Sequence, residues 1–189
     1  AGFSDWTDEQ HVGAFIAGLA GAQLFSSPMV NEGGGIHVDG EGTVLCTTTV
    51  QLDPGRNPTM NAESVETEFK AYLGVSKAIW LPRGLTKDYD RFGTRGHVDI
   101  CACFVRPGVL LVHRQTDPSH PDYEVTSEYI ELLRRSTDAT GRELELIEVP
   151  APVQTHADGE LVDWSYLNHS ICDGAVILCG GFGLSGNPE

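Results

Sequence analysis

A histidine and an aspartate stand two residues apart in Gly96-His97-Val98-Asp99, and a second carboxylate, Glu32, opens the run Glu32-Gly33-Gly34-Gly35. On an extended strand, side chains at i and i+2 point to the same face. Read as the start of a strand, the first motif therefore sets His97 and Asp99 on one wall of a pocket, a proton carrier beside a fixed negative charge. The three glycines after Glu32 let the backbone bend sharply and pass close to a ligand. Two carboxylates and one imidazole suit a cationic substrate that must be held and protonated.

These groups need elements to position them. Thr7 or Asp5 caps a helix running to about Ala20, with Val12, Phe15, Ile16 and Leu19 on its apolar side. An extended stretch from Gln23 to Val30 delivers Glu32. Gly35–Val38 and Thr43–Val50 form a hairpin around Asp39-Gly40-Glu41-Gly42. Asn61 caps a helix bearing Val65, Phe69 and Leu73, which Gly74 ends. Ala78–Leu81 is a buried strand, and Leu85–Gly96 is a polar loop. A strand from His97 to Val105 turns at Pro107-Gly108 and returns over Val109–His113. A helix over about Tyr123–Asp138, a strand over Leu144–Val149 and a hairpin from Tyr166 to Leu178 follow, the hairpin turning at Cys172-Asp173-Gly174. The order is two strands, helix, strand, then the same again, with a third unit beginning. The pattern predicts one partial domain over residues 1–189 that begins and ends inside repeat units, and therefore a fragment of something longer.

The chain has 189 residues, a formal net charge of −15 and a mean hydropathy of −0.16. Such an acidic surface repels phosphate backbones and anionic lipid, so neither nucleic acid nor membrane is expected as a partner. No apolar run approaches the roughly 20 residues of a membrane span, and acidic Asp5, Asp8 and Glu9 replace the basic start of a signal peptide. Cys46, Cys101, Cys103, Cys172 and Cys179 are odd in number and mostly in apolar surroundings, which fits reduced thiols in the cytoplasm. Cys101-Ala102-Cys103 has no second pair at zinc-site spacing, and no cofactor is expected. His37 and Asp39 read as hairpin residues, Arg56 and Asn57 as loop braces, Trp80 and Trp164 as core.

The run EGGGIHVDGEG from Glu32 to Gly42 resembles the agmatine deiminase family, also known as bacterial-type peptidylarginine deiminases. Gly55-Arg56-Asn57-Pro58, Tyr72-Leu73-Gly74-Val75, Ile79-Trp80-Leu81-Pro82-Arg83-Gly84, Gly96-His97-Val98-Asp99, Ala102–Gly108 and Ser165-Tyr166-Leu167-Asn168 continue the resemblance in order. It implies an α/β fold, the pentein-type propeller of ββαβ units, here an incomplete set. It also implies hydrolysis of a guanidinium to a ureido group and ammonia, best known for agmatine. On that resemblance Asp99 holds the small cationic guanidinium substrate, His97 shuttles protons and Glu32 contacts substrate and sets the histidine. Gly33 lies against the substrate.

The resemblance further implies a cysteine nucleophile in a segment reading like GGGNIHC and a second guanidinium-binding aspartate upstream. Neither segment is in this sequence, and Cys179 is the nearest substitute for the nucleophile. Arg95 stands where the family has an acidic or amide residue, and Ile100 where Asn or Asp follows. A positive charge at position 95 is expected to disfavour a cation. Three readings stand: part of a guanidine hydrolase, inactive alone; a binding module that captures a guanidinium or amine without turnover; or a truncated product that needs a second copy or a complementary chain to close its ring.

Overall fold

The structure, a computed structural model, describes residues 11–91, 93–153, 156–157, 159–162, 164–172 and 175–178. Helix α1 (Val12–Leu19) opens this part. Its apolar residues Val12, Phe15, Ile16 and Leu19 are all exposed, by 52% to 71%. The caps expected at Thr7 or Asp5 lie outside the described residues. The stretch over 23–30 leads to Glu32 without joining a helix or a sheet.

The first repeat consists of β1 (Ile36–Val38), β2 (Thr43–Thr47), α2 (Thr48–Gln51), α3 (Ala62–Leu73) and β3 (Lys77–Leu81). Strand β1 pairs antiparallel with β2, and β2 pairs parallel with β3, Thr43 opposite Lys77 through Thr47 opposite Leu81. Asp39 makes the hairpin turn by accepting the backbone N–H groups of Glu41 and Thr43, each at 2.8 Å. Helix α3 starts where the sequence places it: Asn61 and Ser64 form a reciprocal capping box, and Gly74 ends the helix at φ 69°. Strand β2 stops at Thr47, short of the expected Val50, because the Thr47 hydroxyl donates to the Gly96 carbonyl at 2.7 Å and the chain winds into α2.

The second repeat follows the same path. Strand β4 (Ala102–Arg106) pairs antiparallel with β5 (Val109–Arg114), helix α4 (Asp122–Arg134) crosses over, and β6 (Glu145–Pro150) pairs parallel with β5. Helix α4 ends four residues earlier than expected. Asp138 leaves the helix to cage a turn, accepting Thr140 N and Arg142 N through Oδ1 at 2.9 Å and Arg142 Nε through Oδ2 at 2.8 Å. A short pair, β7 (His156–Ala157) and β8 (Glu160–Leu161), falls where the sequence suggests only a loop. Strands β9 (His169–Cys172) and β10 (Ala175–Leu178) form the hairpin of a third unit, and its turn at Asp173-Gly174 lies outside the described residues.

Every residue of β2 is buried, so its two faces serve two cores. Val44 and Cys46 pack with Val65, Phe69 and Val75 under α3. Leu45 joins Ile79, Leu81, Phe104, Leu110, Tyr129 and Leu133 in the larger core shared with the second unit. That shared core, together with hydrogen bonds such as Thr47 to Gly96, holds the two units side by side and brings their leading turns together.

Candidate active site

Glu32, His97 and Asp99 lie in turns that immediately precede the first strand of each unit. Gly33–Gly35 form one turn of 3-10 helix between Glu32 and β1. His97–Cys101 form a second turn before β4, closed by Cys101 N and Ala102 N donating to the Val98 carbonyl at 2.9 Å. The expected strand from His97 is therefore corrected: β4 begins at Ala102, and His97 and Asp99 do not share a face by strand alternation. They converge because their turn wraps around Gly34, whose carbonyl accepts Val98 N at 3.1 Å and Asp99 N at 3.3 Å.

Gly34 is the hub of this packing. A Cβ there would stand 2.4 Å from Asp99 Oδ2 and 2.5 Å from His97 Nδ1, so no side chain is tolerated without displacing both groups. A Cβ on Gly33 would meet nothing within 4 Å, and Gly33 faces open space. On the other edge of the imidazole, His97 Nε2 lies 3.2 Å from Glu32 Oε2.

Each turn is braced from behind. Gln51, fully buried at the end of α2, donates through Nε2 to Asn31 Oδ1 and to the Gly35 carbonyl, both at 2.9 Å. Asn57 clamps the segment before Glu32, accepting Val30 N at 2.8 Å and donating to the Val30 carbonyl at 3.0 Å. The second turn is organised by Asp88. Its Oδ1 accepts Thr94 N at 2.7 Å, and its Oδ2 accepts Gly96 N at 2.8 Å, His97 N at 3.0 Å and the Thr94 hydroxyl. A third turn contributes Asn168, one residue before β9, whose Nδ2 donates to Asp99 Oδ2 at 3.2 Å.

The carboxylates are tuned in opposite directions. Partial burial alone would raise Glu32, but hydrogen bonds from His97 and Arg56 and the Arg56 charge outweigh it and hold the group at about 2. Burial pushes Asp99 above the usual carboxylate range, and the charge of Asp88 adds to this while His97 opposes it. A bound cation would repay that desolvation. The thiols are the wrong kind for attack: burial raises Cys46, Cys101 and Cys103, the last to about 12 with the Asp99 charge adding to it, whereas a nucleophilic cysteine needs a depressed value. Cys179 lies outside the described residues. Among the described residues no group of three or more His, Cys, Asp or Glu is placed to hold a metal, and no helix is long and apolar enough to cross a membrane.

Arg95 is paired with an acid. Its guanidinium does not stand as an unpaired charge beside the site, since Nε lies 2.6 Å from Asp53 Oδ2. Its φ of 71° is a left-handed conformation that short polar side chains tolerate more readily than arginine. Sequence reading missed Arg56, Asp88 and Asn168 as site residues. The signal for Arg56 and Asn168 was their place in the motifs Gly55-Arg56-Asn57-Pro58 and Ser165-Tyr166-Leu167-Asn168, the first of them read as a loop brace.

Successive ββαβ units whose leading turns meet at a shared hub define an α/β propeller of the pentein type, and the known structures agree. The chain superposes on the agmatine deiminase of Enterococcus faecalis with a TM-score of 0.83 at 32% identity, covering 93% of this chain and 52% of that one. Residues 1–184 match the family model for Porphyromonas-type peptidyl-arginine deiminase, and the chain belongs to that family. A Streptomyces avermitilis protein named "Putative agmatine deiminase" is 58% identical over 177 residues, 93% of this chain. The agmatine deiminase of Medicago truncatula is 42% identical over 193 residues, again 93% of this chain. The chain spans about half the length of these curated relatives, 51% in both cases.

Proposed function

We propose that the protein carrying this chain hydrolyses a guanidinium C–N bond, converting agmatine and water to N-carbamoylputrescine and ammonia. The convergence of Glu32, His97 and Asp99 on the Gly34 turn supports this most directly. A guanidinium is planar, charged and rich in paired N–H donors, which suits carboxylates such as Asp99 and Glu32. A thiolate adds to the guanidinium carbon, and His97 protonates the departing nitrogen as ammonia leaves. His97 then takes a proton from water, whose oxygen adds to the same carbon, and the thiolate is expelled to give the ureido product. The thiol comes from none of Cys46, Cys101 or Cys103, and in this reading the nucleophile is supplied from outside the chain, which by itself provides the holding and proton-transfer half and does not turn over. The reaction feeds putrescine formation in the cytoplasm, a setting with which free thiols at Cys46, Cys101 and Cys103 agree.

The test is turnover of agmatine, free arginine and peptidyl-arginine by this chain and by the whole protein. The expected outcome is turnover of agmatine by the whole protein alone, abolished in His97→Asn. Robust turnover by this chain alone overturns the reading that it is inactive by itself, and a whole protein inert on all three compounds overturns the hydrolase assignment. The two carboxylates beside His97 also suit a second reading, capture of a guanidinium without chemistry. Calorimetry separates the two: saturable agmatine binding lost in Asp99→Asn, with no turnover by the whole protein, supports capture. The exposed apolar residues of α1 support association with a second copy or a complementary chain, which light scattering reads directly.

A further inference from the structure

Behind the candidate site runs a line of alternating charge that the proposed chemistry does not by itself require. Arg95 Nε lies 2.6 Å from Asp53 Oδ2, Asp53 Oδ2 lies 3.5 Å from Arg56 Nη1, and Arg56 Nε donates to both Glu32 oxygens at 2.9 Å. Glu32 Oε2 in turn meets His97 Nε2. The Arg56 side chain is 3% exposed and that of Asp53 7%, so the middle of the line is dry. Arg56 Nη2 also donates to the Thr94 carbonyl at 2.7 Å, which ties the same guanidinium to the turn that carries His97.

We propose that Arg56 is a positioning residue that acts through Glu32 on His97, selecting which imidazole nitrogen exchanges protons. The inference rests on the guanidine-hydrolase reading for its catalytic consequence but on geometry for the device itself. One N–H shared between both carboxylate oxygens fixes the plane of Glu32. A buried arginine keeps that carboxylate ionised, and an ionised carboxylate only accepts hydrogen bonds. Nε2 of His97 therefore carries the hydrogen. Nδ1, on the side facing Gly34 and Asp99, is left as the nitrogen that takes and returns a proton. Asp53 aligns Arg56 from behind. Arg95 balances the second acid, so along this line two acids alternate with two bases.

A merely structural brace would leave the ionisation of Glu32 and the tautomer of His97 alone, and these are the readouts. In the whole protein, nuclear magnetic resonance follows the Glu32 carboxyl through acid titration and the ring nitrogens of His97, while steady-state kinetics on agmatine give kcat and KM. In Arg56→Gln the Glu32 titration moves up by roughly one to three pH units, and the Nε2–H tautomer loses its dominance. The kcat falls roughly 10- to 100-fold with little change in KM. Arg56→Lys restores the charge without the shared N–H, so it recovers the titration in part and leaves kcat well below the parent. An unmoved Glu32 titration in folded Arg56→Gln overturns the proposal, as does a moved titration with parental kcat. Where Arg56→Gln does not fold, Arg56→Lys decides: parental tautomer and parental kcat together overturn it. A parent protein inert on every guanidine compound sinks the hydrolase reading, while the titration and tautomer still decide whether Arg56 sets His97.

Discussion

The turn before β1 and the turn before β4 occupy the same place in successive units, yet different physics holds them. The first carries Glu32 and is held by charge, with Arg56 gripping the carboxylate and Asp53 behind it. The second carries His97 and Asp99 and is held by amide geometry, four donors closing on the carboxylate of Asp88. The surroundings differ in the same sense. Helix α3 buries only Val65 and Phe69, whereas α4 buries Val125, Tyr129, Ile130 and Leu133 together with Asp122 and Thr126. A group whose ionisation matters is fixed by an opposite charge, and a group whose direction matters is fixed by a rigid backbone. One topology accommodates both.

The sharpest way to break this contrast is Asp88→Ala. It leaves the Thr94 and Gly96 amides without their acceptor and the His97 amide with only the Thr94 hydroxyl, and each lost partner costs about 1–3 kcal/mol. The expected loss of unfolding free energy is about 4 kcal/mol by urea titration, and a loss under ~1 kcal/mol would mean that the cage is incidental. Leu133→Ala, fully buried in the larger core, is expected to cost about 3 kcal/mol by the same measurement. Phe69→Ala in the smaller core should fall below it only if α3 is the looser unit.

Gly34→Ala tests the hub rather than either cage. Displacing Asp99 and His97 together is expected to lower guanidine turnover roughly 100-fold, while Gly33→Ala, in open space, changes stability by less than ~0.5 kcal/mol. Equal effects at the two positions would remove Gly34 from the argument. The charge-held turn also makes a pH prediction. Glu32 is depressed from 4.5 to about 2, so its contribution to stability is complete above its unfolded value and is lost as pH falls from about 5 towards 2. The fall in unfolding free energy over that window should be shallower in Glu32→Gln, and identical slopes would contradict it. The smallest expected effect is Asn61→Ala, which removes the α3 cap and costs about 1 kcal/mol by thermal unfolding.

Much of the repeat was legible because it rests on local signals. Alternating apolar runs around Asp39-Gly40 and the Asn61 and Gly74 caps place β1, β2 and α3 to within a few residues. Glu32, His97 and Asp99 were visible as residue types, but the reason they meet was not. Residues at i and i+2 share a face only on a strand, and the chain there turns because Asp88 and the Gly34 carbonyl capture its amides. Arg56, Asp88 and Asn168 act on partners 24, 9 and 69 residues away, separations that no periodicity carries. Arg95 reads as a repulsive charge in sequence because Asp53, its neutralising partner, comes 42 residues earlier.

The Gly34 carbonyl, shared between the amides of Val98 and Asp99, stitches one unit's leading bend to the next. Sliding of either unit against the other must first break that stitch. At the opposite end of the strands Ala139 N donates to the Thr43 hydroxyl and Arg142 to Glu41, so the two units are pinned at axle and rim alike and the spacing around the chemistry is set from both ends.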